Sequence, residues 1–343
     1  MLNAAAAVSP DDAWAVGGYS LGSVERPLIL HWDGSSWRSA PVPDISGSLH
    51  GVHAVSANDV WAVGQSTDGG KPSALTLHWD GKTWTPSLSG SNASTSGIYL
   101  ESVDATSTDD AWAVGERARG SGFVPVSFHW NGGAWKPVVV PTRGGQALLT
   151  GVVALSPQDV WTVGTYYIGH ESGLFKTYVL HWDGEAWSIE RGGVAEAWGD
   201  FSAAAAAGPT NVWTVGQPFA RGSGPHGSLV AELRNGTWKR VSVSGLPTGN
   251  NWLRAVTVVS RDEAWAAGTT QTGVLTPVYR ALVAHFDGGR WTTTALPELS
   301  ADTYLTGVAT DADGVWLVGH MTNGSTSRTL TLRRCSAQPA VPL

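Results

Sequence analysis

One short pattern, [AV]-W-x-[AV]-G, occurs seven times in the 343-residue chain, and it limits the folds that this sequence can adopt. The copies are 47 to 52 residues apart, and their tryptophans are Trp14, Trp61, Trp112, Trp161, Trp213, Trp265 and Trp316. Repeats of this period are typical of solenoids, propellers and arrays, in which each repeat is one supersecondary unit. Seven units of similar size therefore predict one repeating architecture.

Each repeat predicts four short strands, which we call A to D. In the second repeat, strand A covers 49–55, strand B covers 60–63 and strand C covers 74–79, where apolar and polar residues alternate with the period of a strand. A second motif, H-W-[DN]-G-x-x-W, spans the turn from C to D in repeats 1 to 4, is altered in repeats 5 and 6, and is missing from repeat 7. Helical periodicity is absent.

The repeats therefore predict an all-β, seven-bladed β-propeller with four-stranded antiparallel blades. We expect a single domain over residues 1–343, with blades at approximately 1–47, 48–98, 99–147, 148–199, 200–251, 252–303 and 304–343. Because the end of repeat 7 has no tryptophan and contains prolines, we expect a degenerate outer strand there.

The D-G-x-x-W turn resembles the Asp-box of sialidase-like propellers, although the spacing between Asp and Gly differs. The tryptophan-rich repeat is similar to secreted repeat proteins of high-GC bacteria. This resemblance covers the whole chain and implies the propeller fold. It implies no activity, because propellers include lectins, hydrolases, lyases and scaffolds.

Composition excludes several classes of partner. The net charge is −7, and no cluster of Lys and Arg forms the basic stripe that nucleic acid or an anionic membrane requires. Cys335 is the single cysteine, so no intrachain disulfide is expected, and no apolar run reaches the length of a membrane span.

We expect no cofactor, no metal and a monomer. No signal peptide is recognisable, so we expect a cytoplasmic protein or, if a leader has been removed, an extracellular one.

Residues that recur in most blades serve the blade rather than a ligand. Seventeen of the 19 tryptophans occupy three repeated positions, which predicts packing between blades. The histidines of the H-W motif lie on separate blades, so we predict that they bond the turn aspartates that precede strand B. Functional residues should instead be aperiodic and lie on the face with the long B–C and D–A connections.

Trp198 and Trp252 are the two tryptophans outside the repeated positions. We place them on the D–A connections that enter blades 5 and 6, where they could stack on a sugar or another flat ligand. Anchoring of these loops to the core is the alternative.

Strand A supplies two further rings of candidates. The position after its leading apolar residue predicts a polar column at the channel mouth, formed by Asn3, His50, Glu101, Thr150, Ser202, Arg254 and Thr306. Three residues further along, His53 and Asp104 interrupt a ring of mostly small residues. A histidine beside a carboxylate can act as a general acid or base. A buried structural pair is the alternative.

A third ring follows the glycine of strand B and contains Glu116 and His320. Blade 4 adds Tyr166, Tyr167 and His170 in its long B–C connection. These residues could recognise a polar ligand, and Tyr166 could join His53 and Asp104 in catalysis. A metal bound by His50, His53 and His320 is geometrically conceivable, but no spacing motif supports it.

Three functional hypotheses follow. The first is a binding or interaction propeller that recognises a small molecule, a carbohydrate or a protein partner on the loop-rich face. The second is an enzyme, such as a lyase, cyclase or hydrolase, that uses His53, Asp104 and Tyr166. The third is a structural module of a surface assembly.

Overall fold

The computed structural model describes residues 1–88, 95–143, 145–168, 175–219, 227–273, 275–297, 299–335 and 341–342. These residues form seven sheets, and the one helical element among them is a short 3-10 helix, Gly193–Glu196. Strand A of each blade contacts strand A of the next, and blade 7 contacts blade 1 in the same way. The structure therefore confirms a seven-bladed β-propeller. None of the described helices has the length and apolar character needed to cross a membrane.

Within each blade, strands A to D lie side by side in chain order and pair antiparallel. The strands of blades 1 to 3 are β1 (Leu2–Ser9), β2 (Asp12–Leu21), β3 (Val24–Trp32), β4 (Trp37–Ser39), β5 (Gly47–Ser56), β6 (Asp59–Ser66), β7 (Ser73–Trp79), β8 (Trp84–Leu88), β9 (Ile98–Ser107), β10 (Asp110–Arg119), β11 (Gly122–Trp130) and β12 (Trp135–Val138). Those of blades 4 and 5 are β13 (Gln146–Ser156), β14 (Asp159–Tyr167), β15 (Phe175–Trp182), β16 (Trp187–Ile189), β17 (Gly199–Gly208), β18 (Asn211–Pro218), β19 (Leu229–Arg234) and β20 (Thr237–Val241).

The last two blades depart from the common pattern at their outer edges. Their strands are β21 (Val243–Ser244), β22 (Asn250–Ser260), β23 (Glu263–Thr272), β24 (Val278–Phe286), β25 (Trp291–Thr293), β26 (Asp302–Asp311), β27 (Gly314–Asn323), β28 (Thr326–Cys335) and β29 (Val341–Pro342). In blade 6, β21 adds a fifth strand that pairs parallel with β25. In blade 7, β29 supplies an outer strand of two residues.

The repeated tryptophans pack between blades. The fully buried ring of Trp112 lies 4.9 Å from the ring of Trp182 and 5.3 Å from that of Trp187, both in the next blade. Strand-B tryptophans make equivalent contacts with aromatic residues of the next blade at five other interfaces, including the closing interface, where Trp316 contacts Trp32 and Trp37. The closing interface therefore has the same aromatic packing as five of the six other interfaces.

The interface between blades 6 and 7 is different, because blade 7 lacks the H-W motif. There the Trp265 ring meets a cation instead of a tryptophan, with the guanidinium of Arg334 5.4 Å from the ring centroid. The loss of one motif from the sequence thus corresponds in the structure to one interface with a different chemistry.

The histidines of the H-W motif bond the turn aspartates, as the sequence predicts. His31 Nε2 lies 2.8 Å from Asp12 Oδ1, and the same bond recurs in blades 2, 3 and 4. Blade 7 substitutes an ion pair in which Arg333 Nη2 lies 3.2 Å from Asp311 Oδ2. These groups belong to the blade structure and lie near the short A–B and C–D turns.

Candidate functional site

Every strand A has a β-bulge at the position opposite the motif glycine. In blade 2, Leu49 pairs with Gly64 and Gly51 pairs with Val63, so His50 has no partner in the ladder. A bulge bends its strand and changes the direction of the extra side chain. The seven bulge residues are Asn3, His50, Glu101, Thr150, Ser202, Arg254 and Thr306. They are the polar column that the sequence predicts.

The glycine of the repeated motif is explained by this bulge. A Cβ atom on Gly64 would lie 2.0 Å from the carbonyl oxygen of Ser48, which immediately precedes the bulged segment. A Cβ atom on any of the six equivalent glycines would lie 1.9 to 2.1 Å from the carbonyl oxygen of the residue two positions before the bulge. No side chain fits at such a distance, so only glycine permits the close approach of strands A and B. The motif W-x-[AV]-G therefore marks the position of each bulge.

All seven bulge residues line one open cavity of about 670 Å³. Phe175 at the start of strand C in blade 4 and Phe219 after strand B of blade 5 also line it, which places the cavity at the end of the ring with the B–C and D–A connections. Its volume is within the range of small-molecule sites. Of the predicted binding residues, the cavity brings together His50, Glu101 and Arg254.

His50 and Glu101 form a pair across the boundary between blades 2 and 3. His50 Nδ1 lies 3.1 Å from Glu101 Oε1, and His50 Nε2 lies 3.2 Å from the Ser48 hydroxyl. Burial disfavours the charged imidazolium, but the hydrogen bond and the negative charge of Glu101 outweigh burial and raise the pKa of His50. The charges of His50 and Glu101 therefore compensate each other within the pair.

Two further carboxyl groups near the cavity are held toward their neutral form. Burial, with the charge of Glu101 as a second cause, raises the pKa of Glu116 to about 8. Burial also raises the pKa of Asp200, against the opposing effects of a hydrogen bond from Gln217 and the charge of Arg254. At neutral pH, Glu116 is thus mainly a neutral carboxylic acid, which can donate as well as accept a hydrogen bond.

Glu116→Gln is expected to stabilise the protein at alkaline pH. Because the native state keeps a proton that the unfolded chain releases above about pH 4.5, the free energy of unfolding falls as pH rises from that value to about 8. Glutamine has no proton to release. Because Glu116 is only half-buried, solvent screens part of this effect. We expect the free energy of unfolding of Glu116→Gln, relative to wild type, to rise by about 1–2 kcal/mol between pH 5 and pH 8.5, less than the full shift allows.

Urea denaturation at pH 5 and pH 8.5 measures this difference. Glu185→Gln, which removes an exposed carboxylate from the C–D turn of blade 4, is the control and should follow the wild type at both values. An equal stability difference between Glu116→Gln and wild type at the two pH values would contradict the assignment.

The wall of the cavity on blades 4 and 5 is aromatic. The rings of Phe175 and Phe219 are 5.9 Å apart, and Tyr167 packs behind Phe175 at 5.4 Å. At the rim next to this wall, Trp198 is 36% exposed, and the Lys176 ammonium lies 5.1 Å from its ring. Trp198 and Tyr167 are therefore close to the cavity without lining it.

Trp252 lies within strand β22, whereas the sequence placed it on a connection. Strands β22 and β23 pair as far as Asn250 and Gln271, which includes Trp252 in the ladder opposite Thr269. Its ring stacks 6.4 Å from that of Tyr279, and the stack continues through Tyr304 to His320. These half-buried rings cross from blade 6 to blade 7.

His53 and Asp104 are in contact, with His53 Nδ1 2.5 Å from Asp104 Oδ1. Burial disfavours the charged imidazolium, but the charge and hydrogen bond of Asp104 raise the pKa of His53. The other oxygen of Asp104 accepts a hydrogen bond of 2.7 Å from the Ala154 amide of blade 4. The pair thus links three blades, and neither residue is among those that line the cavity.

Tyr166 does not join that pair. It is 3% exposed and packs between blades 3 and 4 with Trp112 and Tyr178, while the guanidinium of Arg143 lies 5.4 Å from its ring. The physical reason is strand alternation: its neighbour Thr165 lines the cavity, so Tyr166 points away from it. The three predicted catalytic residues are therefore not assembled into one site.

The remaining candidates are Glu116, His320 and His170. Glu116 and His320 are half-buried and do not line the cavity, and His170 lies outside the described residues. Among the described residues, no group of three His, Cys, Asp or Glu side chains could hold a metal ion.

Sequence reasoning missed Phe175, Phe219 and Asp200 as cavity residues. Phe175 and Phe219 flank B–C connections whose lengths differ between blades, so no column alignment includes them. Asp200 lies two residues before Ser202, the bulge residue of blade 5. This fixed offset was the sequence signal that could have identified it as a cavity residue.

Comparisons with known proteins identify the fold. No family model matches the chain, and no curated protein matches it. Among solved structures, it is similar to a polysaccharide lyase, the PL25 ulvan lyase bound to -[GlcA(1-4)Rha3S]-, with 12% identity, a TM-score of 0.62, and 99% of this chain and 95% of that chain covered. It is also similar to YCF48 bound to D1 peptide, with 14% identity, a TM-score of 0.55 and coverage of 92% and 88%.

A third similar structure is the β-propeller domain of the Trilobed protease from Pyrococcus furiosus, which has an open velcro topology. The identity is 7%, the TM-score is 0.60, and the match covers 100% of this chain and 98% of that chain. At these identities the similarity establishes the propeller fold, and proteins with this fold have different activities.

Proposed function

We propose that the protein is a binding propeller that receives part of a carbohydrate in the central cavity of its loop-rich face. The observation that carries the proposal is the convergence of the seven bulge residues and an aromatic wall on one cavity of about 670 Å³. Sugars present hydroxyl groups at their edges and C–H groups on their faces. A site with polar side chains from every blade and phenyl rings on the side of blades 4 and 5 complements both.

The rim offers further contact area. Trp198 is exposed beside the wall formed by Phe175 and Phe219, and Trp252 stacks with Tyr279 of its own blade. We include both tryptophans, with Tyr167, as residues that contact the parts of the ligand outside the cavity. Glu116 and His320 do not line the cavity, and the proposal assigns them no contact with the ligand. From the repeat motifs we also propose a bacterial source and a relationship to the Asp-box. Neither of these bears on the chemistry of the cavity.

Two of the similar structures hold ligands, a polysaccharide in one and a peptide in the other. We favour the carbohydrate because the cavity has the volume of a small-molecule site and combines hydrogen-bonding groups with an aromatic wall. Catalysis by His53 and Asp104 is the second hypothesis, and their 2.5 Å contact is the observation that favours it.

Phe219→Ala is expected to weaken carbohydrate binding about tenfold, since it removes an aromatic face from the cavity wall. A screen on defined neutral and acidic oligosaccharides identifies the strongest binder, and calorimetry then measures its affinity for each variant. Phe123→Ala is the matched control, because Phe123 is 38% exposed on a blade 3 hairpin outside the cavity.

His53→Ala separates binding from catalysis. We expect the affinity to stay within about twofold of the wild type, because His53 does not line the cavity. Equal affinities of the Phe219→Ala and Phe123→Ala variants would refute the proposed site. Turnover of the bound oligosaccharide that disappears in His53→Ala would favour the enzyme hypothesis.

A further inference from the structure

Five of the seven bulge side chains are engaged across blade boundaries. Asn3 donates to the Leu49 carbonyl at 2.7 Å, Thr150 to the Phe201 carbonyl at 2.6 Å, and Thr306 to the Leu2 carbonyl at 2.7 Å. His50 and Glu101 bond each other. These side chains hold neighbouring strands together, so a ligand can contact them only in the orientations that these bonds fix.

Ser202 and Arg254 are the exceptions, and they occupy equivalent positions on the adjacent blades 5 and 6. Within the described residues, neither side chain makes a hydrogen bond or an ion pair. Both line the cavity, and Arg254 is exposed there. The guanidinium group has five N–H donors in a planar fork that matches a carboxylate.

No acidic group among the described residues forms an ion pair with Arg254, although the charge of Arg254 acts on the carboxyl group of Asp200. The two carboxyl oxygens of Asp200 lie 3.4 Å from the Gln217 backbone nitrogen and 2.9 Å from its side-chain nitrogen. Glu101 is occupied by His50. The positive charge of Arg254 is thus presented to the same cavity that Phe175 and Phe219 line.

We propose that Arg254 and Ser202 bind the carboxylate of a uronic acid residue, so that the ligand is an acidic oligosaccharide. This inference rests on the proposed carbohydrate function and specifies its chemical class. The guanidinium of Arg254 pairs with the two carboxylate oxygens, and the Ser202 hydroxyl donates a further hydrogen bond. The sugar ring then lies toward the wall that contains Phe219.

The test uses oligosaccharides of galacturonic and glucuronic acid, each paired with its carboxyl-reduced neutral form. For the wild type, we expect at least one acidic oligosaccharide to bind ten times or more tightly than its neutral form. Arg254→Gln should abolish this preference and leave the affinity for the neutral form within about twofold. Arg254→Lys should retain part of the preference, since lysine keeps the charge without the planar fork.

Arg280→Gln is the matched control. Arg280 lies on the same blade near the same face, is partly exposed and does not line the cavity, so its removal should keep the preference for acid. Equal binding of the acidic and reduced forms by the wild type, or a preference that survives Arg254→Gln, overturns the inference while leaving the carbohydrate proposal intact. If neither form of any oligosaccharide binds, the carbohydrate proposal itself fails.

A peptide arm distinguishes the other source of a carboxylate. Short peptides with a free C-terminal carboxylate are compared with their C-terminally amidated forms. Binding of the free form alone, lost in Arg254→Gln and accompanied by no binding of uronic acids, would overturn the carbohydrate assignment.

Discussion

Trp112→Ala is expected to reduce the free energy of unfolding by about 3–5 kcal/mol, because it empties a fully buried site between blades 3 and 4. The Trp112 ring stacks on His129 at 4.4 Å and meets Trp182 and Trp187 of the next blade. Alanine would leave these rings without a partner on one side. Urea denaturation followed by circular dichroism measures the loss.

Trp198→Ala is the control for the size of the side chain that is removed. Because Trp198 is 36% exposed at the rim, its loss should cost about 1 kcal/mol or less. If both variants were destabilised equally, the repeated tryptophans could not be the main packing between blades.

Gly115→Ala is expected to have an effect of at least the same size, about 3 kcal/mol or more, although it adds only one methyl group. The new Cβ would lie 2.0 Å from the Tyr99 carbonyl oxygen, a backbone atom of the paired strand that cannot rotate away as a side chain could. The strands would have to separate or the bulge at Glu101 would have to be lost. Thermal denaturation measures the effect on stability.

Gly133→Ala provides the control in the same blade, since the nearest atom to its new Cβ would be Asn131 Oδ1 at 3.8 Å. We expect it to be close to wild type in stability. A Gly115→Ala variant as stable as Gly133→Ala would mean that the motif glycine is not required by the bulge.

The blade count and the polar column could be predicted from the sequence because both depend on periodicity. The tryptophan spacing fixes the number of sheets, and the equivalent positions in strand A fix which residues face the axis. The structure adds the reason, namely that each column residue is the bulge opposite a motif glycine. His50, Glu101 and Arg254 were therefore found by alignment of the repeats alone.

The other site residues depend on features that do not repeat. Tyr166 follows Thr165 in the chain, and its direction depends on the strand continuing beyond the motif glycine to Tyr167. The sequence instead suggested a loop there. Trp252 was placed on a connection for the same reason, since the ladder of blade 6 extends to Asn250. The lengths of these hairpins vary between blades, so periodicity carries no information about them.

The substitutions in blades 5 and 7 show a second limit. Blade 5 replaces the His–Asp bond with a hydrogen bond of 2.8 Å from Asn211 to Glu232, and blade 7 uses Arg333 and Asp311. Different residue pairs thus perform the same structural role. A motif search scores the histidine and the aspartate as missing from these blades, although another pair of residues makes the corresponding interaction in the folded protein.

A crystal structure of the protein with the strongest-binding oligosaccharide would show whether the cavity framed by the seven bulges is the binding site. We expect a sugar residue within the cavity, in contact with Phe219 and with its carboxylate at Arg254. A sugar bound on the face with the A–B and C–D turns, or along the outer D strands, with the cavity filled by water, would contradict this assignment.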